Sequence, residues 1–319
     1  MKNEGLILGV DTSNYTTSVA VISESGELIA NIKRPLCVKD GERGLRQSDA
    51  VFSHIKNLPG IFEEAKIFTK DKKILAIGVS SKPRRQEGSY MPCFLSGVSA
   101  ASALSLASEA SLYEFSHQCG HIMAAIYSSR SFELLGKDFA AFHISGGTTE
   151  LLKVHSEENG FIAELCGGTK DLNAGQVIDR IAVAMGLSFP GGKHLEELAL
   201  LNEAKILKRK VSRDGLWLNL SGLENIALKL YKDTEDKQLV ADFVFEYLGD
   251  AIAELSEEYE FRFGKTHFVY AGGVMCNSII KEKLKQRFEC SFAEPAMSAD
   301  NAVGIAYLAL LANKKDRSI

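Results

Sequence analysis

Two stretches of the chain repeat one plan of strands and turns, and this repetition most constrains the fold. They are LILGVDTSNYTTSVAVISESGELIANI (6–32) and FAAFHISGGTTELLKVHSEENGFIAEL (139–165). Each has an apolar strand, a turn of small residues, a second strand, a polar turn with glycine, and a third strand. Helical periodicity follows both, at 47–65 and at 175–185. A strand meander followed by helices, present twice, predicts an internal duplication.

The duplication predicts two lobes that face each other across a cleft. At 319 residues the chain is long enough for two domains, and with 45% apolar and 24% charged residues it has an ordinary globular composition. We predict a two-lobed α/β fold of the actin, sugar-kinase and heat-shock-chaperone ATPase class, with duplicated ribonuclease-H-like lobes. The first lobe, 1–136, would carry a metal-binding helix. The second, 137–319, would bind nucleotide, and its terminal helix would pack back on the first lobe.

Charge and cysteine usage narrow the class of protein. A net charge of −4 gives no extended basic surface for nucleic acid, which leaves only local patches around Arg84 and Arg85 or Lys208 to Lys210. The six cysteines form no CxxC pair, which is typical of buried thiols in a reducing compartment. We find neither a signal peptide nor an apolar run of ~18 residues that could span a bilayer. The expectation is a cytoplasmic protein with no membrane association.

Further elements follow from apolar periodicity and turn residues. The segment 211–220 fits either a loop or a hairpin. The other predicted elements are a strand at 74–80, a helix at 96–110, a strand at 267–271, a helix at 277–288 and a terminal helix at 301–312.

Two histidines stand four residues apart in SHQCGHIMAAIYSS, where Ser116 can cap a helix. Residues at i and i+4 share one helical face and lie ~6 Å apart along the axis. That spacing allows His117 and His121 to bind one metal ion. The alternative is a pair of helix histidines without a metal.

Asp300, in SADNAVGIAYLALL, has two interpretations. It either caps the last helix or supplies the third ligand of a His₂Asp site. Two imidazoles and one carboxylate with open positions suit Fe²⁺, Zn²⁺ or Mn²⁺. Such an ion could bind a phosphate or carbonyl oxygen as a Lewis acid.

Several small-residue turns are candidate nucleotide contacts. Short turns let backbone N–H groups approach phosphate oxygens, although each also fits a simple hairpin turn or a surface carboxylate near a helix N-terminus. Asp179 could accept hydrogen bonds from ribose hydroxyls, and Pro190-Gly191-Gly192 could bring backbone beside the same ribose. The other candidates are Asp11, Thr12 and Ser13, then Ser145, Gly146, Gly147 and Thr148, and Gly272 and Gly273 with Asn277 after them.

The order of seven motifs over most of the chain resembles the universal tRNA threonylcarbamoyladenosine synthase family, long called O-sialoglycoprotein endopeptidase or glycoprotease. Each motif is loose alone, and their order makes the resemblance specific. The motifs are GVDTSNYTTSVAV (9–21), HQCGH (117–121), HISGGTTEL (143–151), AGQVIDRIAVAMGLSFPGG (174–192), LSGL (220–223), AGGVMCN (271–277) and EPAMSADNAVGIAY (294–307).

This resemblance implies roles for individual residues. It implies that His117, His121 and Asp300 hold iron or zinc. It implies that the turn Ser145–Gly147 contacts phosphates and the threonylcarbamoyl group of an ATP or adenylate ligand. Asp179, Gly192 and Asn277 would bind ribose and base.

The resemblance also implies an activity and partners. Family members transfer threonylcarbamoyl from its adenylate to an adenosine beside the tRNA anticodon. They work with partner subunits, one of them a metal-free paralogue of the same fold. This implies adenine nucleotide and tRNA as ligands and a dimer with such a paralogue, or with a second copy of this chain.

The sequence departs from the family pattern at three places. The family turn reads SGGHT, and this chain has Thr148 where the family has histidine. The family motif DDAxGE becomes DLNAGQ, which keeps Asp171 and places Gln176 where the family has glutamate. The Gly-Pro-Gly loop becomes SKPRRQEG at 81–88. These departures indicate a divergent paralogue, and no catalytic residue is assigned.

Three functions follow as expectations. The first is metal-assisted transfer of a threonylcarbamoyl or related carbamoyl group. The second is a catalytically weakened nucleotide-binding paralogue that regulates or scaffolds a true synthase, and the third is a small-molecule carbamoyltransferase. A protease is disfavoured because HxxxH lacks the glutamate of HExxH, and a sugar kinase because no catalytic base is identifiable.

Overall fold

The computed structural model describes residues 5–13, 15–37, 45–157, 160–204, 210–298 and 300–318. Lys208, of the predicted basic patch, lies outside these residues, as does Asn159, which belongs to the predicted tip of the second meander.

Strands lie in both predicted meanders and at the other predicted strand positions, and two more, at 111–116 and 290–292, were not predicted. They are β1 (Leu6–Asp11), β2 (Thr16–Ser23), β3 (Leu28–Pro35), β4 (Ile74–Lys82), β5 (Ser111–Ser116), β6 (Phe139–Ile144), β7 (Thr149–Glu157), β8 (Gly160–Thr169), β9 (Arg213–Asp214), β10 (Trp217–Leu218), β11 (Phe268–Ala271) and β12 (Cys290–Phe292). The short strands β9 and β10 pair antiparallel, so the segment 211–220 contains a hairpin.

Six helices lie where the sequence predicts them, with shifts of a few residues at their ends, whereas the helices at 192–199, 221–234, 237–263 and 295–298 were not predicted. They are α1 (Gln47–Thr69), α2 (Phe94–Ser108), α3 (His117–Ser129), α4 (Ala174–Ala184), α5 (Gly192–Ala199), α6 (Ser221–Thr234), α7 (Lys237–Phe263), α8 (Ser278–Lys285), α9 (Pro295–Ser298) and α10 (Val303–Asp316). None of the helices in the described part of the chain is both long and apolar enough to cross a membrane.

Sheet topology confirms the internal duplication. Among the described residues, five strands form one sheet in the order β3-β2-β1-β4-β5. The second sheet contains β8-β7-β6-β11-β12, which is the same order for the corresponding strands, and adds β10 and β9 beyond β8. In both sheets the first meander strand pairs antiparallel with the second and parallel with the strand that follows the helices.

The chain divides into two compact units by its internal contacts. Unit 1 comprises residues 1–137, 155–163 and 296–319, and unit 2 comprises 138–154 and 164–295. The lobe boundaries predicted from the sequence, 1–136 and 137–319, stay predictions.

In unit 1 the sheet is buried on both faces. Along β1, Leu6, Leu8 and Val10 pack into the cluster that contains apolar residues of α1 and α2. Ile7 faces the opposite side and packs with apolar residues of α10. The period of two along β1 therefore places a helix layer on each face. Unit 2 has its own core, which includes apolar residues of β6, α4 and α7.

Candidate metal centre and nucleotide-binding turns

The helix α3 presents both motif histidines near its N-terminus. Ser116 caps this helix, as the sequence predicts, and its hydroxyl oxygen accepts a hydrogen bond from the N–H of Cys119 at 3.3 Å. His117 and His121 lie one turn apart, and their Nε2 atoms are 2.9 Å from each other. His121 is buried and His117 half-buried.

Asp300 is positioned by a close approach of α10 to α3. A Cβ placed on Gly304 would lie 1.9 Å from the carbonyl oxygen of Gly120, so only glycine fits there. Asn301 fixes the chain just before the helix, since its Oδ1 accepts from the N–H of Val303 and its Nδ2 donates to the carbonyl of Met297, both at 3.0 Å.

The capping interpretation of Asp300 is wrong. The residue at the N-cap position of α10 is Ala302, and the side chain that accepts from the first helical N–H belongs to Asn301. Asp300 instead directs its carboxylate to the two histidines, with Oδ1 lying 3.3 Å from Nε2 of His121 and 3.5 Å from Nε2 of His117.

These three atoms fit one metal ion. The circle through them has a radius of roughly 1.9 Å, so a point about 2.0–2.1 Å from all three exists, which is the usual metal–nitrogen distance in zinc sites. Among the described residues, only His117, His121 and Asp300 form a group of this kind. Two imidazoles and one carboxylate are a donor set that suits Zn²⁺ or Fe²⁺ and leaves further positions open.

Asp11 stands behind His117, on the side away from the other two ligands. Its Oδ2 lies 2.8 Å from Nδ1 of His117, and its Oδ1 accepts from the N–H of Ser13 at 2.8 Å. Asp11 is the last residue of β1 and is 1% exposed. A buried carboxylate that accepts the Nδ1–H of a metal-binding histidine fixes its tautomer, so Nε2 keeps a lone pair for the ion.

The electrostatics of the cluster also fit a cation. Burial alone would lower the pKa of His117, but the carboxylates of Asp11 and Asp300 outweigh it and raise that pKa to about 10. Burial would raise the pKa of Asp300, yet hydrogen bonds from His117 and His121 hold it well below its usual range. A divalent ion at this site would compete with a proton on His117, so metal uptake would release protons.

We expect Asp11→Asn to weaken metal binding by about 10–100-fold, since outer-shell partners of metal ligands typically contribute this much. Asparagine keeps the shape of the side chain but loses the charge that orients and strengthens His117. The measurement is the dissociation constant for Zn²⁺ by chelator competition. Asp49→Asn, on α1, is the control. An unchanged constant would contradict this role.

Thr12 and Ser13 have no exposed surface. The Thr12 hydroxyl donates to the carbonyl of Cys93 and accepts from the N–H of Gly97, both at 3.0 Å. In the structure Asp11 contacts His117, and Thr12 binds the backbone at the start of α2. The predicted nucleotide contacts of Asp11, Thr12 and Ser13 stay predictions.

In unit 2 the turn Ser145–Gly147 meets the N-terminus of α4. The N–H of Gly175 donates to the carbonyl of Ser145 at 3.2 Å, and a Cβ on Gly175 would lie 2.6 Å from that oxygen. Gly146 and Gly147 are exposed, with open space where a Cβ would stand. The turn therefore leaves room for a ligand beside a helix N-terminus, which favours an anion.

Gly272 lies beside the same turn. Its φ is +97°, and a Cβ at this position would lie 2.2 Å from the carbonyl oxygen of Ile144, so both features require glycine. Gly273 has open space around it. Asn277 caps α8 through Oδ1, which accepts from the N–H of Ile280 at 3.0 Å. Its Nδ2 is buried and has no partner among the described residues, so a ligand could supply an acceptor.

Asp179 is held against the Pro-Gly-Gly turn. Its Oδ1 accepts from the N–H of Gly191 at 2.8 Å, and burial raises its pKa although that hydrogen bond opposes the rise. Gly192 begins α5 and has open space at its Cβ position. The turn Ser145–Gly147 therefore lies at the N-terminus of α4, with Gly272 next to it, and α4 itself carries Asp179.

Two residues of the DLNAGQ motif, one of them retained from the family pattern, have structural roles. The Gln176 side chain accepts from the N–H of Asn173 at 3.4 Å and so completes the capping box of α4. Asp171 accepts from the N–H groups of Leu220 and Ser221 and from the Ser221 hydroxyl, which ties it to the LSGL motif. Burial would raise the pKa of Asp171, but these hydrogen bonds lower it to about 2.

Sequence reasoning missed two polar features of unit 1. His54, on α1, is fully buried, with Nδ1 2.9 Å from the Thr17 hydroxyl. Burial lowers the pKa of His54, and the nearby charge of Asp11 opposes that shift. Arg85 forms an ion pair with Glu157 at the tip of β7. The apolar spacing of α1 places His54 on the buried face, which is the signal that could have identified it.

The fold places the chain in a known structural class. Solved structures of the actin and sugar-kinase class confirm the predicted fold. HypF of T. kodakarensis matches with a TM-score of 0.63, 15% identity, and coverage of 98% of this chain and 48% of that chain. The ADPNP-bound activator of 2-hydroxyisocaproyl-CoA dehydratase from Clostridium difficile matches with a TM-score of 0.55, 14% identity, and coverage of 98% and 97%. At this identity the likeness concerns the fold alone.

Within that class the chain belongs to the tRNA N6-adenosine threonylcarbamoyltransferase family, whose sequence model matches residues 39–307. The relative of that name from Bacillus licheniformis is 30% identical, with 98% of this chain and 94% of the relative covered. The relative from Methanopyrus kandleri is 24% identical, with 98% and 89% covered. The resemblance predicted from the seven motifs is therefore confirmed.

Proposed function

We propose that this chain is a metal-dependent transferase that moves a threonylcarbamoyl, or related carbamoyl, group from its adenylate to an adenosine of tRNA. The observation that carries the proposal is the triangle of His117, His121 and Asp300 with Asp11 behind it, in a chain of this family. A bare pair of helix histidines would not require the close approach of α10 that brings Asp300 to them.

In this proposal His117, His121 and Asp300 would hold the ion, iron or zinc, and Asp11 would keep the proton on Nδ1 of His117. Such an ion would supply Lewis-acid chemistry towards a phosphate or carbamoyl oxygen of the substrate. No described residue is assigned as a general base.

The adenylate or ATP would bind to unit 2. Backbone N–H groups of the turn Ser145–Gly147 and the N-terminus of α4 suit its phosphates, and Thr148 lies in the same turn. The carboxylate of Asp179, with Gly192 nearby, suits the ribose. The buried Nδ2 of Asn277, from which no described residue accepts a hydrogen bond, suits an acceptor on the base.

We expect Asp179→Ala to weaken ATP, ADP and AMP binding about tenfold or more, because a charged hydrogen bond contributes ~1.5–3 kcal/mol. Calorimetry on the full chain measures the affinity. Asp233→Ala, an exposed position on α6, serves as the control. Equal affinities for Asp179→Ala and the unaltered chain would count against the ribose contact.

A second function is favoured by Thr148 and Gln176, namely that of a catalytically weakened subunit that binds nucleotide and supports a same-fold partner. An imidazole can move a proton near neutral pH and a threonine hydroxyl cannot. Glutamine can neither accept a proton nor neutralise a cation, and here its side chain serves the capping box of α4. Under this alternative the chain keeps metal and nucleotide and acts through its partner in the cytoplasm.

A single-turnover assay with threonylcarbamoyl-adenylate and unmodified tRNA tests the proposal and separates the two functions. Loss of one preorganised catalytic group costs ~10²-fold or more, so the chain alone should be at least ~100-fold slower than the Bacillus licheniformis relative measured beside it. Thr148→His should recover part of that difference if the chain is a transferase. Rates equal to those of the relative would show that the substitutions are tolerated. No turnover in either form would favour the weakened subunit.

A further inference from the structure

The edge strand β3 places one lysine on the face of the sheet that carries the metal centre. Ile32 packs against the cluster that contains residues of α1 and α2, so Lys33, the next residue, lies on the opposite face, on the side of α10. The register agrees, since Lys33 stands opposite Ser18, and Ser18 stands opposite Asp11. Residues directly opposite each other in antiparallel strands share a face of the sheet. Lys33 therefore belongs to the same row of side chains as Asp11, which contacts the metal ligand His117.

The ammonium of Lys33 contacts the segment that leads to Asp300. Its Nζ donates to the carbonyl of Ala296 at 2.9 Å. Burial lowers the pKa of this ammonium, and the nearby charge of Asp300 opposes that shift. A lysine on an edge strand often protects the edge and extends into solvent, whereas Lys33 is half-buried. Edge protection alone therefore does not account for its position.

Most of the hydrogen-bonding capacity of Lys33 is unused within the described part of the chain. An ammonium has three N–H donors, and the carbonyl of Ala296 is the one acceptor that the described residues give them. None of the described carboxylates forms an ion pair with Lys33. Its neighbour Arg34, in contrast, is paired with Glu64 of α1. Two N–H groups of Lys33 are thus available to a ligand.

The charges near the metal ligands favour an anion beside Lys33. A divalent ion would balance the carboxylates of Asp300 and Asp11, and the positive charge of Lys33 would then have no counterpart among these groups. A ligand with one negative charge at this point would be attracted to it. The threonylcarbamoyl group carries one carboxylate, whereas an unsubstituted carbamoyl group has none.

We propose that Lys33 is a specificity-determining residue that binds the carboxylate of the transferred group. This inference rests on the proposed transferase function and narrows its substrate from carbamoyl groups in general to those made from an amino acid. The available N–H groups of Lys33 would donate charge-assisted hydrogen bonds to that carboxylate. A phosphate also suits an ammonium, but the phosphates of the adenylate already have a candidate site at the turn Ser145–Gly147 of unit 2.

The test is calorimetry of the zinc-loaded full chain with N-carbamoyl-L-threonine and with its methyl ester, which has no free carboxylate. We expect the unaltered chain to bind the acid about tenfold more tightly than the ester, and Lys33→Met to bind the two equally. Lys33→Arg keeps the charge and should keep a preference for the acid. The matched control is Lys153→Met, which removes a half-buried lysine of β7 and should leave the tenfold preference unchanged.

Three outcomes would overturn the proposal. The first is that the unaltered chain does not bind the acid. The second is that Lys33→Met still prefers the acid, even if it binds Zn²⁺ more weakly, because Lys33 would then only support the segment that leads to Asp300. The third concerns the phosphate: Lys33→Met should keep its affinity for AMP, and a loss of AMP binding without a loss of the preference for the acid would assign Lys33 to phosphate instead.

The unaltered chain provides a check that does not depend on variant folding. N-carbamoyl-L-threonine should slow acetylation of Lys33 by acetic anhydride, followed by peptide mass spectrometry, and should leave the rate at exposed Lys72 unchanged. Binding of the acid without protection of Lys33 would also contradict the proposal. The single-turnover assay tests the transferase function separately. A chain without turnover that keeps a Lys33-dependent preference for the acid would reject the transferase and retain this carboxylate site.

Discussion

His117→Ala is expected to leave the purified chain with almost no bound transition metal, against about one ion per chain in the unaltered protein. The change removes one of three ligands, so the dissociation constant should rise well beyond the ~10–100-fold typical of outer-shell changes. Asp300→Asn should act similarly, because an amide oxygen lacks the charge that the ion and the two histidines require. Elemental analysis after gel filtration gives the occupancy.

The matched control is His194→Ala, which removes a half-exposed histidine of unit 2 beside Glu197. It should keep full occupancy. Chelator titrations at two pH values add an independent measurement, since uptake of the ion displaces a proton from His117, whose pKa is raised to about 10. Binding should therefore weaken as the pH falls. Full metal occupancy in His117→Ala would show that the ion, if any, is held by other residues.

The sequence predicts the fold well because the signal is repeated and local. Each strand of the two meanders carries its own apolar run and turn residues, so β1 to β3 and β6 to β8 fall where expected. The helix boundaries are less accurate, since capping decides them. The start of α10 is set by Asn301 and Ala302 rather than by Asp300.

The sequence predicts the metal ligands but not the residue that orients one of them. An i,i+4 histidine pair is visible in the sequence, but nothing near it indicates that Asp11, over a hundred residues away, lies against His117. Phosphate loops and tight hairpin turns use the same small residues, so the sequence alone leaves the role of the turn that carries Asp11 open.

The metal centre depends on the absence of a side chain at Gly304, where α10 contacts Gly120 of α3. A Cβ at position 304 would stand 1.9 Å from the carbonyl oxygen of Gly120 and 2.7 Å from the backbone N of Ala124. Both obstacles are backbone atoms of α3, so no side chain can rotate aside. Gly304→Ala must push α10 away from α3, and Asp300, four residues earlier, would move with it.

We expect Gly304→Ala to destabilise unit 1 by about 1–3 kcal/mol or more, as overpacking of a tight contact does, and to weaken Zn²⁺ binding. Gly222→Ala is the matched control, because Gly222 is also the second residue of a helix and its Cβ position is open. That change should leave stability unaltered or slightly raised, since alanine favours helix over glycine. Urea unfolding followed by circular dichroism compares the two variants with the unaltered chain. Equal midpoints for both would mean that α10 can shift freely, and Asp300 would then not be held in place by this helix contact.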